Sequence, residues 1–255
     1  MAVSMETFAR WKKTSLRKLD QSRKGSVDER ARHVVSLLNS QERFFTTSSC
    51  SGRIVLVDGP PEGSAVQKKD CEWLFVSHDP CSSEDVVSAL SRSSREAVLK
   101  FEAFVLHVQC HRLEDAQLLH SVAINSGFRN SGLTVSRTGK IITAVRSTHG
   151  LEVPLSYSGT LLVGAEYVHF LTQKANQKME ENFRRMHRFF QNLQAALTTE
   201  TPALQGADDP TLPPGEGDSQ TAVYKRRRKR QQHPSVAERD EEDGCSLDDC
   251  LDLFS

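Results

Sequence analysis

Apolar residues recur along the first 200 positions with two different periods, and the change of period marks the elements. Over residues 5–19, Phe8, Trp11, Leu16 and Leu19 fall roughly on one helical face. Ser26 followed by Glu29 reads as a capping box that opens a helix to about residue 39. Residues 44–47, 53–57 and 73–77 read as strands, with a turn forced at Asp58-Gly59-Pro60-Pro61. Ser82-Ser83-Glu84-Asp85 starts a helix to about residue 91, and strands follow at 97–101 and 104–110. A helix over 113–126 is closed by Gly127. Strands at 133–136, 141–146 and 151–155 lead into one long helix, or two abutting ones, over 165–199. Strands come in groups and do not alternate with helices, which predicts an α+β fold: a mixed sheet with flanking helices and a long C-terminal helix. A helix followed by three strands occurs at about 28–77 and again at about 113–155, which leaves an internal duplication open.

The periodicity stops near Glu200. Beyond it lie Pro202, Pro210, Pro213, Pro214 and two closely spaced glycines, then a basic run and an acidic end. Such a stretch buries too little apolar surface to offset its ordering entropy. The expected organisation is one α+β domain over 1–200 and a disordered charged tail over 201–255. Lys plus Arg and Asp plus Glu are equal at 33 each. From Thr201 onward there are 7 basic and 12 acidic residues, so the first 200 carry 26 basic and 21 acidic and are net positive. No run of about 18 apolar residues predicts a membrane-spanning helix. Residues 1–13 show no apolar run, so no secretory leader is expected. Reduced thiols in the cytoplasm are expected for the six cysteines, with the nucleus as an alternative suggested by the cations Lys225 to Arg230. No Cys-x-x-Cys pair occurs, and no metal site is expected.

Absent motifs narrow the chemistry further. No Gly-x-Gly-x-x-Gly or Gly-x-x-x-x-Gly-Lys-Ser/Thr occurs, and no Gly-x-Ser-x-Gly. Polar chemistry gathers in four other segments. Thr46 to Arg53 joins small hydroxyls, Gly52 and a cation, read either as an anion or nucleoside turn or as a plain Ser-rich turn. Trp73 stacks on a base or sits in the core. Strand alternation puts His107 on the face opposite Leu106 and Val108, as a functional or a core histidine. Arg146 to Pro154 brings Arg146, Ser147, Thr148, His149 and Glu152 to a strand junction, where His and Glu can relay a proton and Arg can hold a carboxylate or phosphate. Gly127 to Gly132 adds a glycine-flanked loop with one cation.

These residues resemble the tRNA wybutosine-synthesising protein 3 family, and the chain looks like a vertebrate member. The resemblance rests on Ser-Ser-Cys-Ser-Gly-Arg (48–53), Lys-Phe-Glu-Ala-Phe-Val-Leu-His-Val-Gln-Cys (100–110), Ser-Gly-Phe-Arg-Asn-Ser-Gly (126–132) and Val-Arg-Ser-Thr-His-Gly-Leu-Glu-Val-Pro-Leu (145–155). Ala-Asn-Gln-Lys-Met-Glu-Glu-Asn (175–182) adds to it. It covers about residues 5–197; Ala103 stands where relatives are expected to carry proline. The resemblance implies an S-adenosylmethionine-dependent methyltransferase outside the doubly wound class. The implied substrate is phenylalanine tRNA with a demethylwyosine-type tricyclic base next to the anticodon, methylated at N4. For that chemistry the expected proton acceptors are His149 or Glu152, with His107 in reserve. The expected cofactor contacts are Ser49, Cys50, Gly52, Arg53, Trp73, Arg146 and Ser147, the arginines serving either the cofactor carboxylate or tRNA phosphates. The rival expectation is a module that binds tRNA without catalysis.

Overall fold

The computed structural model describes residues 3–17, 25–59 and 71–199. The tail expected over 201–255, its basic run and Pro60-Pro61 of the expected turn lie outside these residues.

Local chemistry sets the helix ends. Helix α1 (Met5–Leu16) begins at Ser4, whose hydroxyl accepts from the Thr7 N–H. Its Phe8 is fully buried and meets Phe45 and His111 at 5.2 and 5.1 Å between ring centres. Helix α2 (Arg32–Ser40) follows a 3-10 turn, Glu29–Ala31. The expected capping box at Ser26 does not open it. Asp28 occupies the cap position of the turn, but its carboxylate accepts from the backbone N–H of distant Ser51 at 2.8 Å. In α3 (Ser83–Leu90) Ser82 caps as its sequence suggests, accepting from the Asp85 N–H. Helix α4 (Leu113–Asn125) is closed by Gly127 at φ +102, and the Phe128 N–H returns to the Ala123 carbonyl. The C-terminal helix α5 (Ala165–Thr199) is one helix of 35 residues, not two.

The strands are β1 (Phe44–Cys50), β2 (Arg53–Asp58), β3 (Glu72–Ser77), β4 (Ala97–Glu102), β5 (Val105–Cys110), β6 (Gly132–Val135), β7 (Ile141–Val145), β8 (Leu151–Pro154), β9 (Ser156–Tyr157) and β10 (Thr160–Leu161). They build one sheet in the order β1-β5-β7-β6, a second in the order β3-β2-β4-β8, and the small ribbon β10-β9. The two helix-plus-three-strand runs divide unequally. The first gives β1 to one sheet and β2 and β3 to the other; the second gives β6 and β7 to one and β8 to the other.

Three chain segments run from one sheet into the other. They are β1 to β2 through Ser51-Gly52, β4 to β5 through Ala103-Phe104, and β7 to β8 through residues 146–150. Their lateral order is the same on both sides, β1-β5-β7 and β2-β4-β8, all antiparallel. The three crossings therefore lie side by side as a seam between the sheets.

Helix α5 spans this seam. Its Val168, Leu171, Ala175 and Met179 complete the core over β2 and β4, with Ile54, Leu56, Leu99 and Phe101. About two to four turns beyond Met179, Met186, Phe189 and Leu193 complete the core over β1, β5 and β7, with Phe44, Leu106, Val108 and Val145. Phe183 borders both cores. Phe104, Phe128 and Phe189 form an aromatic triad with centres 5.3, 6.3 and 5.9 Å apart, each pair adding about 0.5–1.5 kcal/mol beyond its buried area.

Candidate functional site

The seam is tied to α5 by one buried side chain. Asn182 is 1 % exposed; its Oδ1 accepts from the Phe104 N–H at 2.8 Å and its Nδ2 donates to the Ser51 carbonyl at 2.8 Å. Two of the three crossings thus end on one amide. Gly52 sits at φ +98 beside it, and a Cβ there would lie 2.8 Å from Asn182 Nδ2 and 3.1 Å from the Glu102 carbonyl. The space beside this glycine is filled by α5, so its lack of a side chain serves the approach of the helix.

At one edge of the seam stand Asp28, Cys50 and His78, with candidate ligand atoms within 4.8 Å of one another. Asp28 and His78 are tied into the fold. Asp28 holds the Ser51 N–H, and His78 Nδ1 donates to the Gly52 carbonyl at 2.9 Å, 3.5 Å from Asp28 Oδ2. A ring nitrogen that donates to a carbonyl has no lone pair left for a metal. Burial pushes the Cys50 thiol up, which keeps it protonated.

At the other edge, residues 146–150 wrap the seam. Ser147 Oγ accepts from the His149 N–H at 3.0 Å and from Arg185 Nη1 at 3.2 Å. His149 Nε2 donates to the Lys178 carbonyl of α5 at 3.1 Å, and its ring meets Phe101 edge-on at 5.6 Å. Burial lowers the His149 pKa; the bond to the Lys178 carbonyl opposes this, and the charges of Lys178 and Arg185 add to it. Next to it is a cavity of about 320 Å³ lined by Gly127, Arg129, Ser147, Thr148, Glu181, Arg185 and Arg188.

The side of the sheets away from α5 carries a second cluster. Strand alternation turns Leu99 and Phe101 toward α5, and Lys100 and Glu102 away from it. There Arg53 Nε donates to Glu102 Oε2 at 2.6 Å, and its guanidinium lies 4.6 Å from the Trp73 ring centre. Glu152 pairs with its cross-strand neighbour Lys100 at 2.9 Å and is 66 % exposed. In the adjoining sheet His107 Nδ1 is 2.8 Å from Ser48 Oγ. Burial holds His107 below the ordinary imidazole range, with a further contribution from the Arg146 guanidinium. A bulge between Thr46 and Ser48 brings Ser48 opposite His107.

The structure thus separates the expected residues. His149 and Ser147 lie on the α5 side; His107, Glu152, Arg53, Trp73 and Arg146 belong to the opposite side or its edge. Ser49 and Cys50 end β1 beside the seam, and Gly52 lies within it. Asp28, His78, Glu181 and Arg185 were missed by sequence reasoning. Asn182 did leave a signal: it falls in the stripe Ala175, Met179, Asn182, Met186, Phe189 and Leu193, as a polar residue at a core position.

The arrangement defines an α+β protein with a polar seam and, among the described residues, no glycine-rich phosphate turn. Two solved structures are among those similar to it in fold. One is the PH1069 protein from Pyrococcus horikoshii, 33 % identical, TM-score 0.67, covering 74 % of this chain and 97 % of that one. The other is a hypothetical protein from Aeropyrum pernix, 26 % identical, TM-score 0.56, covering 67 % and 99 %. The chain belongs to the family described as Methyltransferase TYW3, which matches residues 10–195. Relatives named tRNA wybutosine-synthesizing protein 3 homolog are 64 % identical in Mus musculus, over 76 % of each chain, and 56 % identical in Danio rerio, over 91 % of this chain and 89 % of that one. The fold and family expected from the sequence are thus both found. Among the described residues no helix is long and apolar enough to cross a membrane.

Proposed function

We propose that this chain transfers a methyl group from S-adenosylmethionine to N4 of a demethylwyosine-type base in phenylalanine tRNA. One observation carries the reading. The segments 48–53, 100–110, 126–132, 145–155 and 175–182, far apart in sequence, meet at the seam under α5. Membership in a methyltransferase family decides against a module that only binds, and the relatives' names supply the wybutosine pathway.

The side away from α5 fits the cofactor best. Trp73 offers a face for adenine, the part-exposed Glu102 accepts from ribose hydroxyls, and Arg53 provides a cation for the carboxylate. Bound there, the sulfonium supplies an electrophilic methyl. The chain's own task is to align the ring nitrogen and to take its proton. His107 is the acceptor on this side: its lowered pKa keeps it neutral at pH 7, and in the tautomer whose Nδ1–H donates to Ser48 Oγ the Nε2 lone pair is left for the substrate. Arg146, beside it, faces the charge of the RNA. Glu152 is occupied by Lys100. His149, bonded to α5, positions the seam.

The test is methyl transfer to tRNA from cells lacking this protein, with the product base analysed by mass. Methylation of the hypomodified base is expected, and none of a transcript lacking the tricycle. Equal methylation of that transcript refutes the substrate.

A further inference from the structure

We propose that the cavity between the 146–150 crossing and α5 is an oxyanion pocket that takes a backbone phosphate of the bound RNA. This rests on the tRNA reading above and adds a second contact, on the α5 side of the seam.

The pocket is built, not incidental. Arg185 is locked in place by three partners: Glu181 Oε1 at 2.9 Å, Ser147 Oγ at 3.2 Å and the Gly127 carbonyl at 3.4 Å. Gly127, at φ +102, takes a backbone conformation that favours glycine and sets its carbonyl on the arm. Glu181 also accepts from Arg184 at 2.9 Å and Arg188 at 3.4 Å, and these arginines hold its carboxyl at about 2. It is thus a permanent anion that aligns three guanidiniums along one helix face. Arg129 enters from the glycine-flanked loop and has no ion-pair partner among the described residues. Among the lining residues, Arg129, Arg185 and Arg188 stand against the one carboxylate of Glu181, which leaves the pocket at +2. Thr148 adds a hydroxyl at the rim.

The charge decides between two oxyanion sources, an RNA phosphate and the cofactor's carboxylate. S-adenosylmethionine carries an ammonium and a sulfonium beside its carboxylate, so it is a net cation that a +2 pocket repels. The lining also has no aromatic side chain for adenine. A phosphodiester is a net anion with the fork geometry that guanidiniums match.

The test measures full-length wild type, Arg129→Gln, Arg188→Gln and the double variant for tRNA affinity across a salt series, and for thermal stabilisation by S-adenosylmethionine. Arg184→Gln is the control, because it removes the same charge outside the lining. Each lining variant is expected to weaken tRNA binding at least about tenfold and to reduce the salt slope by about 0.7–0.9. Stabilisation by the cofactor stays as in wild type, and Arg184→Gln leaves most of the slope intact. Unchanged tRNA affinity and slope in the double variant overturns the pocket while the function stands. So does a loss of cofactor stabilisation, or an equal effect of Arg184→Gln, which indicates diffuse charge. Wild type that fails to bind tRNA overturns the functional reading itself.

Discussion

Replacing Asn182 by leucine isolates the bond that holds the seam. Leucine keeps the branched skeleton of asparagine, with methyls where Oδ1 and Nδ2 stand, and keeps the apolar stripe of α5; its larger methyls add an overpacking cost to the polar one. What is lost is polar: the Phe104 N–H and the Ser51 carbonyl, each bonded at 2.8 Å to one amide, lose their partner in a site that is 1 % exposed. Each buried group left unsatisfied costs about 1–3 kcal/mol, so the pair costs about 2–6 kcal/mol, a large share of a typical total of about 5–15 kcal/mol. For a domain of this size, about 2–4 °C per kcal/mol gives a fall in Tm of about 4–24 °C. The assay is denaturant unfolding with the slope monitored, so that a change in the unfolded state is not mistaken for a change in the native one. Methyl transfer is measured on the folded fraction, and is expected to fall because the 48–53 and 100–110 segments lose their common anchor. A stability loss below about 1 kcal/mol with normal turnover refutes the argument, because the two backbone groups must then find other partners.

Four further outcomes are expected. Gly52→Ala meets both a left-handed φ of +98 and Asn182 Nδ2 at 2.8 Å; strain alone costs about 1–3 kcal/mol, and an unchanged unfolding midpoint shows that the turn can relax. His107→Gln lowers turnover about 10²–10⁴-fold with near-normal tRNA affinity, and the wild-type rate has an acid limb below the ordinary imidazole value of 6.5; a flat profile removes His107 as proton acceptor. The lowered pKa values of His107 and His149 also mean that the unfolded chain binds more protons between those values and 6.5, so their contribution to stability is full above 6.5 and declines as the pH falls through that window. Glu152→Gln breaks an exposed pair with Lys100, worth about 0–1 kcal/mol, and leaves turnover near wild type; a large loss restores Glu152 to the chemistry.

Elements with a local cause were legible in the sequence. Ser82 caps α3, Gly127 closes α4, and the alternation around His107 puts it opposite Leu106 and Val108. The family motifs named most of the segments that meet at the seam. Where reading failed, a side chain answered to a distant partner. Asp28 looks like part of a helix start and instead serves Ser51, 23 positions on. Arg53 looks like an isolated cation and has its Nε bonded to Glu102, 49 positions on, so that a ligand meets a fixed guanidinium. The separation of His149 from Glu152 was also hidden: three residues apart at a bend, one turned to α5 and the other to Lys100.

The three strand crossings have a consequence for how the molecule comes apart. Each sheet is stitched from lengths of chain that alternate with those of its neighbour, so no single cut yields a half with its own complete sheet. The middle length, residues 97–110, pairs with both flanking strands in both sheets. Amide protons of β4 and β5 should therefore exchange at one common, slow rate, as a single cooperative unit. A ligand that grips the seam tightens that unit as a whole, and its binding energy is read out in sheet amides it never touches.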